Sequence, residues 1–249
     1  MPRRAREVSQ SGIYHVMARG ISRERIFLDD ADRRVYLNLM KRVKDEDGLL
    51  IFAFCLMDTH VHLLLRCGVV PLANSMKRLN VAYAVGFNKK YDRNGYLFQG
   101  RFRSEPVDND DYFLTVFRYI HQNPVKASIC SSCGSYRWSS YHAYANARAP
   151  LGLVDKEFPL ELAGGRERLL KFTNTPNEDA CLDVSISASD AEVRERLEQL
   201  LRSYGGASLS DLSVSTRNRL LCELKRMKGA SIRQIARISG LSKSVVEKA

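Results

Sequence analysis

The sequence has little that would place it in a membrane or outside the cell. Its longest apolar run, residues 49–57, is about half the roughly 20 residues that a bilayer-spanning helix needs. The basic start "MPRRAREVSQSG" has no apolar stretch behind it, which argues against a secretory signal. Six scattered cysteines are typical of reduced thiols rather than of a disulfide framework. These absences predict a cytoplasmic protein without a membrane partner.

Acidic side chains are also in short supply. The chain holds 39 Lys and Arg against 28 Asp and Glu, and its isoelectric point is near 9.5. Residues 1–25 contain six Arg against two Glu, and residues 217–249 contain nine basic residues against two Glu. Because each basic side chain that meets a phosphate releases a counterion, this balance favours a polyanionic partner, with nucleic acid first.

Hydrophobic patterning predicts one α+β domain at the start of the chain. Strands are expected at 12–20, 49–57 and 60–66, helices at 29–48, 71–91 and 109–127, and a strand or extended loop at 95–107. The order strand, helix, hairpin, helix, strand, helix predicts an antiparallel sheet with packed helices.

The predicted domain organisation has three parts. Residues 1–148 form the α+β domain, 149–190 a linker or insertion, and 191–249 a small all-α region. Within "SIRQIARISGLSKSVVEKA" (231–249), a helix-turn-helix would need a small contact residue, a turn glycine and an apolar core residue. The sequence has these at Ala236, Gly240 and Val246. We expect this basic region to bind DNA, with two candidate contacts, Arg233 and Lys243.

Two of the five histidines stand one residue apart in "DTHVHLLLR" (58–66). Because side chains alternate across a strand, His60 and His62 share a face and could offer two imidazoles to one ion. Tyr119 and Asn123 lie four residues apart, on one face of a predicted helix. If that helix packs over the sheet, Asn123 could supply a third ligand, with the Tyr119 hydroxyl beside it. Each residue alone is more often structural; the combination favours a metal-assisted site.

Two neighbours of these motifs carry simpler expectations. Asp58 could orient a histidine from the outer shell, but a turn-forming role is favoured. His121 points away from the Tyr119–Asn123 face and is expected at the surface or at the helix end.

Five segments then carry a family resemblance: "GIYHVMARG", "CLMDTHVHLLL", "GYLFQGRFRS", "YIHQNPVKA" and "YRWSSYHAY". In this order, over residues 10–145, they resemble the single-tyrosine HUH transposases, in particular the REP-associated tyrosine transposases and their insertion-sequence relatives. The name HUH describes two histidines that flank an apolar residue, here His60 and His62. The resemblance implies a ferredoxin-like nuclease domain in a protein of the bacterial cytosol and nucleoid.

The resemblance also implies a reaction. Tyr119 matches the nucleophile and Asn123 the third metal ligand of enzymes that cleave and rejoin single-stranded DNA through a 5′-phosphotyrosine, often at DNA hairpins. Three neutral ligands suit Mg²⁺ or Mn²⁺, and imidazoles suit Mn²⁺ better and could accept Zn²⁺. Some relatives act as dimers that share active sites and others as monomers, so the resemblance allows either a monomer or a homodimer.

Basic and aromatic residues nearby are candidates for the grip on DNA. Three aromatics interleaved with arginines (Tyr96, Phe98 and Phe102) could stack unpaired bases. The alternative is a solvated basic face with its aromatics in the core. Candidate phosphate contacts lie in the N-terminal arm and around the second helix: Arg3, Arg4, Lys77, Arg78, Lys89, Lys90, Arg101 and Arg103.

Three functions compete on this sequence. The first is a metal-dependent transposase that nicks and transfers DNA strands. The second is a non-catalytic DNA-hairpin-binding protein or transcriptional regulator on the same fold. The third, a hydrolase of small phosphoesters, is disfavoured by the charge and by the second DNA-binding signal.

Overall fold

The computed structural model describes residues 6–145, 152–179, 181–182, 190–205, 208–209, 211–227 and 230–249. The chain divides into two compact units, Met1–Leu182 and Asp183–Ala249. Arg3 and Arg4, two of the candidate DNA contacts, lie outside the described residues.

The first unit is built on a four-stranded antiparallel sheet with the strand order β2-β3-β1-β4. One helix lies between β1 and β2 in the chain, and another between β3 and β4, which gives the βαββαβ arrangement of ferredoxin-like folds. The predicted α+β class is confirmed. The elements are β1 (Ile13–Arg19), α1 (Asp30–Asp47), β2 (Leu50–Met57), β3 (His60–Arg66), α2 (Leu72–Lys90) and β4 (Arg103–Pro106).

Helix α1 begins and ends at the signals that predict it. Asp29 is the N-cap, and its side chain and that of Asp32 each accept from the other's backbone N–H in a capping box. Gly48 ends the helix in the left-handed conformation, with a φ of 68°.

The hairpin between β2 and β3 has the two-residue turn that the sequence predicts. Asp58 occupies this turn, where its carboxylate forms ion pairs with Arg25 and Arg33 and its carbonyl accepts from the backbone N–H of Ile26. Asp58 is therefore a turn residue anchored by two arginines, as favoured from the sequence.

Helix α3 (Asp110–Lys126) packs against β2 and β3 and continues through Pro124. Asn109 caps it by accepting a hydrogen bond from the backbone N–H of Tyr112. Before β4, the aromatic segment 95–102 is mostly irregular, so the strand prediction holds only for 103–106. Helix α3 is thus the element that places side chains over one face of the sheet, against β2 and β3.

Three short helices complete the described part of the first unit: α4 (Tyr141–Ala145), α5 (Glu157–Leu162) and α6 (Arg166–Asn174). Helix α6 packs on α3, where the Gln122 amide donates to the carbonyl oxygens of Thr173 and Thr175 at 2.7 and 2.9 Å. The described part of the segment predicted as a linker or insertion is therefore partly helical and lies against α3.

The second unit is helical, as predicted. Gly240 has a φ of 71° between its last two helices, a backbone conformation that favours glycine, while Ala236 and Val246 are buried in its apolar core. No helix in the described ranges is long and apolar enough to cross a membrane. Its helices are α7 (Asp190–Ser203), α8 (Val214–Arg226), α9 (Ile232–Ser239) and α10 (Lys243–Lys248).

Candidate active site

The sheet register gathers polar side chains on one face of the central strands. His60 pairs with Arg19 across β3 and β1, and His15 pairs with Glu105 across β1 and β4. Residues directly opposite each other in an antiparallel pair share a face, as do residues two apart on one strand. His15 and Glu105 therefore lie on the same face as His60 and His62.

Helix α3 places two more polar side chains over this face. The amide nitrogen Nδ2 of Asn123 lies 3.4 Å from Nε2 of His62. The ring of Tyr119 stands edge-on to that of His62, with 5.7 Å between centroids, and the His60 and His62 rings are 5.0 Å apart. The structure thus brings together the four residues that the sequence singles out.

Burial differs sharply among these four side chains. His62 is fully buried, Tyr119 is 5% exposed, and His60 is half-buried, so the site opens on the His60 side. Burial lowers the pKa of His62 well below its usual value, and the neighbouring His60 and His15 add to this effect. The imidazole is therefore neutral, which is the form that binds a metal ion.

Sequence reasoning missed two members of this cluster. His15 is fully buried, with its Nε2 3.0 Å from Nδ1 of His62 and its Nδ1 3.2 Å from Oε1 of Glu105. The available signal was a histidine at an inward position of a strand otherwise rich in apolar residues. It could not be linked to His62 before the strand register was known.

The prediction for His121 is wrong. This side chain is fully buried rather than at the surface, with its Nδ1 2.9 Å from the Phe117 carbonyl and its Nε2 2.7 Å from Oγ of Ser140. Burial lowers its pKa to about 3, although the hydrogen bond to Phe117 acts in the opposite direction. Helix α3 is covered on this side by the 136–145 segment, whose packing the helical period alone does not reveal.

The candidate DNA contacts fall into three groups. Arg78 and Lys90 hold helices together: Arg78 forms ion pairs with Glu46 and Asp47, and Lys90 pairs with Asp29 and Asp32. Three others line an open groove of about 600 Å³ between α2 and the 95–102 segment: Lys77, Arg101 and Phe102. The remaining candidates in the described ranges are Lys89 and Arg103, exposed on the first unit, and Arg233 and Lys243 in the second.

The groove combines apolar walls with basic edges. The guanidinium carbon of Arg6 lies 3.9 Å from the centroid of the Phe102 ring, and Tyr96 is 85% exposed. Burial lowers the pKa of Arg6, and the nearby charge of Arg101 acts in the same direction. Among the described residues, those that line the groove include no acidic side chain. The groove is therefore suited to an anion with flat apolar parts.

A second concentration of positive charge lies beside the histidines. Burial lowers the pKa of Arg19, and the like charges of Arg103 and Arg23 lower it further. Arg19 pairs with His60 in the sheet, so this charge stands at the open side of the site. Arg19 was not among the sequence candidates.

Residues 8–123 match a protein family described as "Transposase IS200 like", and this range includes all the candidate residues from His15 to Asn123. The matched segment is 116 of the chain's 249 residues, slightly less than half. The resemblance predicted from the motifs is thereby confirmed.

One solved structure agrees with this match in fold. The chain is similar to a REP-associated tyrosine transposase bound to a REP hairpin, at 16% identity over 63% of this chain and 96% of that chain, with a TM-score of 0.50. A crystal structure of a proposed transposase from Deinococcus radiodurans R1 is 18% identical over 45% of this chain and 90% of that chain, with a TM-score of 0.35. No curated protein matches the chain.

Proposed function

We propose that the protein is a metal-dependent transposase that nicks and rejoins single-stranded DNA at hairpins through Tyr119. The observation that carries this proposal is the convergence of His62, Asn123 and Tyr119 over one face of an IS200-like domain, with 3.4 Å between His62 Nε2 and the Asn123 amide. A protein that only binds DNA needs no such arrangement.

The donor set fits a divalent ion. His60, His62 and Asn123 would hold it, and a rotation of the Asn123 amide about its last bond exchanges Nδ2 for the oxygen Oδ1. Among the described residues, no group of three or more His, Cys, Asp and Glu side chains forms a metal site, so the amide is needed as the third ligand. When bound, Mg²⁺ or Mn²⁺ would supply charge neutralisation at the scissile phosphate.

Tyr119 would act as the nucleophile. Its hydroxyl would lose its proton and form an O–P bond while the bond between phosphorus and the 3′ oxygen breaks. That oxygen would take up a proton, which leaves a 5′-phosphotyrosine and a 3′-hydroxyl. The number of phosphodiester bonds is unchanged, so the reverse attack by a 3′-hydroxyl can reseal a strand without ATP. Arg19 and Arg103, at the open side of the site, would attract the DNA phosphates.

The groove beside α2 is proposed to hold unpaired nucleotides next to the hairpin. Lys77, Arg101 and Arg6 would meet phosphates along its edges, and the exposed Tyr96 ring offers a stacking face. A DNA partner is supported by the family and by the hairpin bound to the similar transposase.

The second unit is proposed as an additional DNA contact. Helices α9 and α10, with Gly240 between them, have the sequence features of a helix-turn-helix, and Arg233 and Lys243 belong to these helices. The proposed division of labour keeps the predicted domains: residues 1–148 cut DNA and residues 191–249 help to bind it.

The test is a covalent-adduct assay with Mn²⁺ or Mg²⁺ and a library of hairpins with single-stranded flanks. A label at the 3′ end of the DNA should migrate with the denatured protein, while a 5′ label should be released, because the tyrosine takes the 5′ phosphate. Tyr119→Phe should abolish the adduct and leave DNA affinity nearly unchanged.

Tyr141→Phe is the matched control. Tyr141 is also a largely buried tyrosine, 8% exposed, and its hydroxyl accepts from Asn174 far along the chain. This variant should form the adduct at the wild-type rate. Tight hairpin binding without any metal-dependent adduct in the wild-type protein would favour the second candidate, a DNA-binding regulator.

A further inference from the structure

A series of hydrogen-bonded side chains leads from His62 away from the open side of the site. His62 Nδ1 is 3.0 Å from His15 Nε2, and His15 Nδ1 is 3.2 Å from Oε1 of Glu105. Both histidines are fully buried. The series thus links one proposed metal ligand on β3 to a carboxylate on the edge strand β4.

The hydrogen-bonding roles in this series follow from its last member. An ionised carboxylate only accepts, so Nδ1 of His15 must carry a proton and donate it to Glu105. In neutral His15 the other ring nitrogen, Nε2, is then an acceptor. Nδ1 of His62 must therefore donate to it, which leaves Nε2 of His62 with its lone pair facing Asn123.

Glu105 is held in place as an acceptor. The hydroxyl of Tyr112 and the backbone N–H of Leu182, the latter at 3.0 Å, both donate to the same carboxylate oxygen. Burial raises the pKa of Glu105, but the hydrogen bonds from His15 and Tyr112 outweigh it and the pKa is lowered overall. The carboxylate is therefore anchored from α3 and from the end of the first unit.

We infer that His15 and Glu105 are positioning residues that fix the ring orientation and tautomer of His62 so that its Nε2 binds the metal ion. This inference rests on the proposed function. It assigns no metal-binding role to His15, because its two ring nitrogens already face His62 and Glu105. Partners of this kind behind metal-binding histidines commonly change metal affinity when they are replaced.

The experiment measures Mn²⁺ affinity by titration calorimetry, and bound Mn²⁺ by pulsed EPR, which detects coupling to imidazole nitrogen. His15→Leu should weaken Mn²⁺ binding by about 10- to 100-fold and reduce the nitrogen coupling. His15→Gln should restore much of the affinity, because its amide can both accept from His62 and donate to Glu105.

His121→Leu is the control for a purely structural role. His121 is equally buried and also makes two hydrogen bonds, but its partners are Phe117 and Ser140. Both leucine variants should lower the melting temperature, whereas only His15→Leu should change Mn²⁺ affinity. Equal Mn²⁺ affinity in all variants would overturn the inference and leave the proposed function standing. A wild-type protein that binds no Mn²⁺, with or without hairpin DNA, would instead overturn the proposed metal site.

Discussion

The two units of the chain have cores of different chemistry. Among the described residues, every buried polar or charged side chain lies in the first unit, between Ser9 and Thr173. The described core of the second unit consists of Val, Leu, Ile and Ala. Buried polar groups cost free energy unless they are hydrogen-bonded, whereas an apolar core only requires packing.

This difference matches the two separate roles on DNA that are proposed for the units. The first unit keeps histidines and an amide inside, in contact with one another, which is useful for holding an ion and aligning a nucleophile. The second unit keeps its polar groups outside, where they can only meet a ligand at the surface. Within the first unit, however, some buried polar residues serve the fold and others the proposed chemistry.

The largest expected effect distinguishes these two kinds of buried polar residue. Asn123→Leu should lower cleavage at least about 100-fold, because it removes the proposed third donor for the metal ion. It should change the free energy of unfolding little, because the contact of Asn123 with His62 is long, at 3.4 Å. Single-turnover cleavage and urea unfolding measure the two effects.

The adjacent residue is the matched control. Gln122→Leu should leave the buried Thr173 carbonyl oxygen without its side-chain donor, at a cost of about 1–3 kcal/mol in unfolding free energy, while the exposed Thr175 keeps a donor in Asn177. Cleavage should be unchanged. If both variants lost stability alike and neither lost cleavage, Asn123 would be a structural residue like Gln122.

The sequence predicts this site only as far as local spacing reaches. His60 and His62 are two apart on one strand, and Tyr119 and Asn123 are one turn apart on one helix, so each pair shares a face whatever the fold. The packing of α3 over β3 is predicted by the family resemblance and by placing a helix over the predicted sheet. The structure shows this packing.

Other parts of the site depend on contacts that are distant in sequence. His15 is 47 residues from His62 and 90 from Glu105, and the contacts exist only through the register of β1 with β3 and β4. The predicted surface position of His121 is wrong for a similar reason, because the segment that covers this residue lies 19 residues further on, at Ser140. Helical or strand periodicity cannot reveal such partners.

The second prediction concerns pH, because all five histidines belong to the first unit. The folded-state pKa values of His62 and His121 are lowered, that of His121 to about 3. Below about pH 6.5 the unfolded chain binds protons at these residues and the folded chain does not. Each should then lower the unfolding free energy by about 1.4 kcal/mol per pH unit as the pH falls.

Unfolding in urea between pH 6 and 4.5, followed by the fluorescence of the only tryptophan, Trp138, measures this slope in the first unit. His121→Gln should reduce the slope by about 1.4 kcal/mol per pH unit, which corresponds to one proton fewer bound on unfolding. The second unit should be insensitive in this range. Its Asp190, whose pKa is lowered by hydrogen bonds from Gln234 and Arg237, affects stability only below about pH 4. An unchanged slope in the variant would mean that His121 titrates normally when folded.

The smallest expected effect concerns the surfaces of the two units. Lys77→Ala with Arg101→Ala, and Arg233→Ala with Lys243→Ala, each remove two positive charges. If all four residues meet phosphates, the slope of log affinity against log salt concentration should become shallower by about 1.4 for a single-stranded contact and about 1.8 for a duplex contact.

Hairpins with and without single-stranded flanks distinguish the two surfaces. The first pair should matter only when a flank is present, because its groove is proposed for unpaired nucleotides, and the second pair should matter for both. If the first pair weakened both hairpins equally, the groove would be a general basic surface, and the contrast between the two units would rest on the active site alone.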